Sequence, residues 1–454
     1  MAPVEAAAWM GVEPDTIFAM ATAPGRAGVA VLRLSGPLAG DIAARLAGPL
    51  PKARMASKRT FYDENGHAID QGLLLWFPAP NSFTGESVAE FHLHGGRAVI
   101  EQMLRTLSGL PGTRPALAGE FTRRAFDHGK LDLTEVEGLA DLVAAETQAQ
   151  RRQALRQMEG GLGAIYESWR ARLLQALAIL EAQIDFSDEE LPDDLNEQLQ
   201  AALQGLATDI SAHLADGQRG EILRRGFRIA ILGAPNVGKS SLINALAQRD
   251  VAIVTPQAGT TRDVIEVNLD LGGYLVSIAD TAGLRITEDD IEAEGIARAG
   301  RQAAAADLKL LVYDAGAWPE KHAATEVWQD GSALTLVNKI DLHPEKDFES
   351  GISEYIPVSL HTGAGVDRLL QRLQQAVAAR LGGSETPGLT RERHRRELSQ
   401  CQQSLLRALQ SEDKAAELIA EDVRLAMRAL GRITGRAGVE DMLDVLFGEF
   451  CIGK

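Results

Sequence analysis

Cysteine is nearly absent: the 454 residues hold two, Cys401 and Cys451. Two thiols so placed build no disulfide framework and offer no metal-ligand spacing, so a reducing compartment is expected. Long apolar runs are also missing. None approaches the roughly 18 residues of a membrane span, and the opening Met1-Ala2-Pro3-Val4-Glu5 lacks the basic segment and apolar core of a secretory leader. A cytoplasmic protein without membrane association is the expectation. Positive charge is outnumbered, with 46 Lys and Arg against 63 Asp and Glu and a net charge of −17. That balance favours solubility and argues against a globally basic nucleic-acid binder, so any contact with RNA must be local. No internal repeat is evident, and the length suits about three domains at roughly 100–200 residues each.

One stretch carries much of the chemistry. Gly233-Ala234-Pro235-Asn236-Val237-Gly238-Lys239-Ser240 follows the apolar run 227–232 and opens a helix-like segment, 241–248. Its glycines let backbone N–H groups wrap a phosphate, Lys239 can reach the β/γ-phosphates, and the Ser240 hydroxyl suits Mg²⁺ at a helix N-terminus. A Gly-rich loop by itself reads as a turn, but three further signals follow in order. Gly259-Thr260-Thr261-Arg262-Asp263 offers a hydroxyl for Mg²⁺. Asp280-Thr281-Ala282-Gly283 follows the strand-like 274–279 and brings a carboxylate and a flexible glycine to a γ-phosphate. Asn338-Lys339-Ile340-Asp341 follows the apolar 334–337. The Asp341 carboxylate can accept from N1–H and the 2-amino group of guanine, a donor pair that adenine lacks. The expected ligand is therefore GTP.

Around this segment the chain divides by periodicity. Residues 1–127 mix short strand-like runs, among them 28–34 and 73–77, with turn signals such as Pro78 and Pro80, and read as an α/β domain. Helical spacing begins near Lys130, where Thr134 and Glu137 stand at capping-box separation. It resumes over 166–184, breaks at Pro192, and continues over 195–214 before a charged, Gly-containing linker, Asp216 to Gly226. A second linker, Gly382 to Gly388, precedes helical spacing over 396–409 and 415–430. Helices on both sides need partners, so one helical domain is expected from both flanks, 128–220 and 383–454, with the nucleotide domain 221–382 inserted. Within the insert, strand candidates 228–232, 264–271, 274–279, 308–313, 334–337 and 355–358 alternate with helices, except for a hairpin at Gly272-Gly273. The expected fold class is multidomain α/β and α, with a Ras-like P-loop G domain whose sheet is mostly parallel.

Hydrolysis needs a group to orient water, and small GTPases use a glutamine beside the Asp-x-x-Gly motif. Here that neighbour is the aliphatic Leu284, and the acidic stretch 288–294 makes Glu292 the candidate. The same run also reads as a solvated helix start. Asn236 offers a carbonyl oxygen that can join backbone oxygens of 255–260 around a monovalent cation, or simply hydrogen-bond within its loop.

Other motifs are more distinctive. They are Gly25-Arg26-Ala27-Gly28, Arg33-Leu34-Ser35-Gly36, Asn81-Ser82-Phe83-Thr84-Gly85-Glu86, Gly119-Glu120-Phe121-Thr122-Arg123-Arg124-Ala125, Gly129-Lys130-Leu131-Asp132-Leu133 and the terminal Cys451-Ile452-Gly453-Lys454. With these and the GTPase elements, the chain resembles the MnmE (TrmE) family of tRNA modification GTPases over essentially its whole length. The resemblance implies an N-terminal domain that binds a tetrahydrofolate and dimerises, a discontinuous helical domain, and a K⁺-activated G domain that pairs with its twin in a homodimer.

The GTP-contacting set that the resemblance completes is Asn236, Val237, Gly238, Lys239, Ser240 and Ser241; Thr255, Pro256, Gln257, Ala258, Gly259, Thr260 and Thr261; Asp280, Thr281, Ala282 and Gly283; Asn338, Lys339, Ile340 and Asp341; and Val358, Ser359 and Leu360. Leu360 departs from the alanine usual in this last loop. Implied roles are Mg²⁺ ligation by Ser240 and Thr261, K⁺ ligation by Asn236, Thr255, Gln257 and Thr260, and water orientation by Glu292. Arg33, Glu90, Lys130 and Lys454 would hold 5-formyl- or methylene-tetrahydrofolate. Cys451 would lie near the folate, either as a nucleophile or as a small packed residue. The implied activity, shared with the FAD-dependent partner MnmG in a heterotetramer or larger complex, adds aminomethyl or carboxymethylaminomethyl groups to C5 of the tRNA wobble uridine. FAD would enter only through that partner.

Two alternatives remain, a regulatory or ribosome-assembly GTPase switch and a folate-dependent aminomethyltransferase. Three basic segments, Arg123-Arg124, Arg151-Arg152 with Arg156, and 391–396, are either RNA contacts or solvated helix faces. His92 and His94 share one strand face and invite a zinc reading, against ordinary sheet residues.

Overall fold

The computed structural model describes residues 15–185, 195–253, 266–280, 300–320, 322–348, 354–383, 387–410, 415–437, 440–448, 450 and 453. The chain forms two compact units, Met1–Val136 with Thr434–Lys454, and Glu137–Ile433.

In the first unit, β1 (Thr16–Met20), β2 (Ala27–Ser35), β3 (Ser57–Tyr62), β4 (Ala68–Phe77), β5 (Val88–Gly95) and β6 (Thr113–Pro115) form one sheet in the order β3-β4-β5-β2-β1-β6. Period-two alternation sends Leu32 and Leu34 of β2 and Phe91 and Leu93 of β5 into a core beneath the helices α1 (Ala39–Ala47) and α2 (Arg97–Ser108). Phe61 meets Phe91 edge-on at 5.4 Å. Helix α3 (Glu120–Asp127) follows, with Arg124 held among Asp15, Glu86 and Glu120.

The second unit holds a helical part and a second sheet. α5 (Gln148–Met158), α6 (Gly161–Asp185) and α7 (Leu195–Arg225) come from one flank of that sheet. From the other flank come α10 (Glu392–Leu409) and α11 (Ala416–Thr434), after α9 (Val366–Leu381) ends the sheet-bearing segment. Tyr166, Leu173 and Leu203 share one buried core with Leu398, Leu405, Val423 and Leu430, so both flanks contribute to it. The sheet runs β12 (Ile356–Pro357), β11 (Ala333–Asn338), β10 (Leu308–Asp314), β7 (Phe227–Leu232), β9 (Tyr274–Asp280), β8 (Glu266–Leu271). All neighbours are parallel except β8 on β9. The expected mostly parallel sheet with one antiparallel edge strand is therefore present.

Three local expectations are corrected. The stretch 216–226 does not form a linker: α7 runs on to Arg225. Gly220 sits inside the helix because a Cβ there would collide with the Leu389 carbonyl oxygen. Contact with the returning chain, not flexibility, selects this glycine, which outweighs its low helix propensity. Ion pairs fix the helix end, Arg224 to Asp141 at 3.0 Å and Arg225 to Asp307 at 2.7 Å.

Nor does the capping box of α4 (Leu133–Ala144) use Thr134 and Glu137. It lies two residues earlier: Asp132 Oδ1 accepts from the Glu135 N–H at 2.8 Å, and Glu135 Oε2 accepts from the Asp132 N–H at 2.7 Å. That frees Glu137 for another task. It is buried, accepts from Arg393 Nε at 2.6 Å, lies 2.8 Å from His394 Nε2, and forms an ion pair with Arg391, whose Nε is 3.2 Å away. The basic run 391–396 is thus neither a solvated face nor an exposed RNA patch at its first members. Arg391 and Arg393 are turned inward, and Arg391 also pairs with Asp141 at 2.9 Å. Arg124, likewise, is engaged within its own domain.

Burial pushes the Glu137 carboxyl up, but His394 and Arg393 outweigh it and hold the group well below the usual carboxylate range. Burial, opposed by Glu137, holds His394 below the usual histidine value. Glu137 is thus the ionised centre of the cluster. Its partners Arg391 and Arg393 are charges that would lose their counterion if it were neutralised. Glu137→Gln should therefore cost about 3–5 kcal/mol, seen as a lowered denaturation midpoint at neutral pH; an unchanged midpoint would show that the cluster does not hold this unit together.

Candidate nucleotide-binding site

Strand β7 delivers the chain into the loop Gly233 to Gly238, and α8 (Lys239–Ala247) leaves it. The loop turns tightly through Asn236 at φ +64° and Gly238 at φ +106°. Glycine is required at 238 for a second reason, since a Cβ there would strike Asn338 Nδ2. Lys239 Nζ donates to the carbonyls of Gly233 and Ala234, each at 2.9 Å, which folds the lysine back over its own loop. Ser240 and Ser241 lie in the exposed first turn of α8.

Asn338, at the C-terminal end of β11, ties this loop to the opposite rim. Its Nδ2 donates to Val237 O at 2.8 Å, and its Oδ1 accepts from the Leu360 N–H at 3.3 Å. The Leu360 substitution thus leaves the backbone contact intact. The Val358-Ser359-Leu360 loop is braced further: the Thr362 N–H donates to Ser359 Oγ at 3.1 Å, and the Ile340 N–H donates to Val358 O at 3.3 Å. Lys339 takes a left-handed φ of +68° and pairs with Asp314 Oδ2 at 2.7 Å, while Asp341 stands exposed in the turn that follows. Burial pushes Asp314 up, but Lys339 and the Gly316 N–H outweigh it and hold the carboxyl below its usual value. A cavity of about 520 Å³ opens beside these groups, lined by Ala234 to Val237, Asp314 and Lys339. Backbone donors, one lysine and a braced loop pair suit a nucleotide whose phosphates lie at a helix N-terminus.

Asp314 was not among the sequence candidates. The usable signal is its register: parallel pairing sets Asp314 beside Asn338, so two apolar strands end on a polar residue at one level. Asp280 ends β9 opposite Ile231 of β7, immediately before the phosphate loop. The expected Thr255, Pro256, Gln257, Ala258, Gly259, Thr260, Thr261, Thr281, Ala282, Gly283 and Glu292 lie outside the described residues, as do Cys451 and Lys454.

In the first unit, Arg33 and Glu90 stand opposite each other on β2 and β5. Arg33 Nε donates to Glu90 Oε1 at 3.0 Å, and Glu90 Oε2 lies 3.7 Å from His92 Nε2. The rings of Phe83 and Phe121 flank the guanidinium at 5.5 and 5.6 Å. Neither ring was singled out from sequence, although both sit inside the quoted motifs. The exposed Lys130 passes beside Gly85, in the motif that carries Phe83. Gly453, in the terminal tail, packs so closely on the Met20 carbonyl that a Cβ could not fit. The tail backbone therefore reaches the end of β1, whose neighbour Ala19 pairs with Arg33. A carboxylate, a guanidinium and two rings fit an aromatic ligand bearing amino or carboxylate groups. His94 on the same strand face is taken up by Asp70, 2.8 Å from its Nδ1.

Comparison with known proteins gives this geometry its family. Residues 16–130 match the family model described as "GTP-binding protein TrmE N-terminus", and residues 133–451 match "MnmE helical domain". The chain is 55% identical over 448 residues to the tRNA modification GTPase MnmE of Parvibaculum lavamentivorans, covering 97% of this chain and 100% of that one. It is 52% identical to the proteins of the same name from Rhodospirillum rubrum and Caulobacter vibrioides, covering 97% of this chain and 99% and 100% of theirs. Full-length likeness at this level, joined to the phosphate loop and the Asn338 bridge, shows that the chain belongs to the MnmE family of tRNA modification GTPases.

Proposed function

We propose that the protein is a K⁺-activated GTPase that acts with the FAD-dependent MnmG to modify C5 of the tRNA wobble uridine, adding aminomethyl or carboxymethylaminomethyl groups. The observation that supports this reading best is the union, in one chain, of the Asn338-braced phosphate loop and the Arg33–Glu90 pair between two aromatic rings. A switch protein needs only the first. An aminomethyltransferase needs only the second.

In this reading Lys239 leaves its loop carbonyls for the β/γ-phosphates, and the backbone N–H groups from Asn236 to Ser240 face the phosphate oxygens. Asp341 accepts from the guanine edge, while Lys339, anchored by Asp314, keeps that turn in its left-handed conformation. Glu292 orients the attacking water, the role that Leu284 is unable to fill. Mg²⁺ would be held by Ser240 and Thr261, and K⁺ by Asn236, Thr255, Gln257 and Thr260. The exposed, left-handed Asn236 and the exposed Ser240 fit such roles on one loop. The monovalent ion supplies positive charge where other GTPases insert an arginine.

Glu90 would accept from the amino-pyrimidine edge of a tetrahydrofolate, Phe83 and Phe121 would cover its ring, and Arg33, Lys130 and Lys454 would meet its carboxylates. The bound folate supplies the one-carbon unit, and FAD belongs to the partner. GTP hydrolysis then drives conformational change and not the carbon transfer itself. The working form is a homodimer in the cytoplasm, joined to MnmG and tRNA.

Nucleoside analysis of tRNA from cells with and without the protein tests the activity: C5-modified wobble uridine should disappear without it, and an unchanged nucleoside profile would refute the proposal. For the cation, GTP turnover should be about 10²-fold faster in K⁺ than in Na⁺, and Asn236→Ala should remove most of the difference. Equal wild-type rates in the two salts would exclude the cation site.

A further inference from the structure

The basic segment Arg151-Arg152 with Arg156 occupies exposed positions of α5. Arg152 and Arg156, one turn apart on α5, open onto a second cavity of about 430 Å³. Its wall is completed by Arg219 and Gly220 of α7, Tyr274 at the start of β9, and Thr390. Among the described residues it shares no lining residue with the cavity at the phosphate loop, and none of those that line it is an Asp or a Glu.

The donors in this cavity are incompletely used. Arg219 is 11% exposed and gives one Nη2 to Asp216 at 3.1 Å, but its buried Nε has no hydrogen-bond partner among the described residues. Thr390 is 2% exposed, and its buried Oγ1 is also without one. Arg152 forms no ion pair among the described residues, in a chain where acids exceed bases by 63 to 46. Burying donors without acceptors is unfavourable, and guanidinium groups and a hydroxyl that line one cavity suit the oxygens of a phosphate. Gly383 in the lining has open space where a side chain would stand, which leaves its backbone approachable.

We propose that this cavity binds a small phosphorylated anion of about nucleotide size, separate from the GTP site. Its volume falls within the roughly 300–1,000 Å³ range of small-molecule sites. The recessed Thr390 and Arg219 favour a free phosphate ester over the backbone of an RNA strand, which would meet the exposed Arg152 and Arg156 first. The position gives the ligand a consequence. α7 leads through Gly226 into β7 and the phosphate loop, while α9 ends at Leu381, so the cavity adjoins both covalent crossings between the helical part and the G domain. A phosphate bridging Arg152, Arg219 and Thr390 would join α5 to both crossings.

The test uses the full-length protein saturated with GDP, so that the phosphate loop is filled, and titrates inorganic pyrophosphate calorimetrically. Wild type should bind it saturably. Arg152→Glu should weaken that binding by about tenfold or more, and Thr390→Val, which leaves every charge in place, should also weaken it. GDP affinity, measured in parallel, should equal that of the wild type in both variants. A parallel titration with a short single-stranded RNA separates the two phosphate sources. Absence of pyrophosphate binding to the GDP-loaded wild type, wild-type affinity in both variants, or binding of RNA alone would each overturn the proposal.

Discussion

The side-chain amide of Asn338 is the constraint on which the nucleotide site depends. One amide holds the phosphate loop by the Val237 carbonyl and the last loop by the Leu360 N–H. It is 3% exposed, so both bonds are made away from water, where an unpaired amide is costly. The same amide forbids a side chain at 238, and thereby dictates the glycine that precedes α8. Neighbouring β10 and β11 bring Asp314 and Asn338 to one level, so the loop ends are positioned by the sheet and not by loop sequence alone. The phosphate and base ends of the site are thus set by a single rigid group.

Charge does comparable work in the helical part. Glu137 gathers Arg391, Arg393 and His394 from the returning chain, and Asp141, one turn later on α4, joins Arg391 to Arg224 at the end of α7. Arg225 then grips Asp307, just before β10. Charged groups therefore run from the buried Glu137 to the root of the nucleotide sheet. Such a series ties the nucleotide sheet to the helices, because each ion pair fixes an orientation that a greasy contact would leave free.

Much of this was legible in the sequence where the signal is local. The phosphate loop, the apolar strands leading to Asp280 and Asn338, and the Gly272-Gly273 hairpin are each written within a few residues, and the sheet follows from them. What escaped is long-range. The partners of Glu137 lie more than 250 residues away, so capping-box spacing claimed it for the wrong purpose. Gly220 looked like a break because the Leu389 carbonyl that demands it lies far along the chain. The inward turn of Arg391 and Arg393 was hidden for the same reason, since a basic run reads as solvated until its acids are located. At the Arg33–Glu90 pair, the resemblance supplied residues that chemistry alone did not single out, whereas the flanking rings emerged only from the fold.

The Asn338 bridge is the most direct point of attack. Asn338→Ala removes both hydrogen bonds without adding bulk, and GDP affinity measured by calorimetry, with circular dichroism as a check on the fold, reads the result. Loss of two bonds of about 1 kcal/mol each predicts GDP binding weakened by roughly 30-fold with the helical signal retained. Wild-type affinity in that variant would contradict the view that this amide organises the nucleotide site.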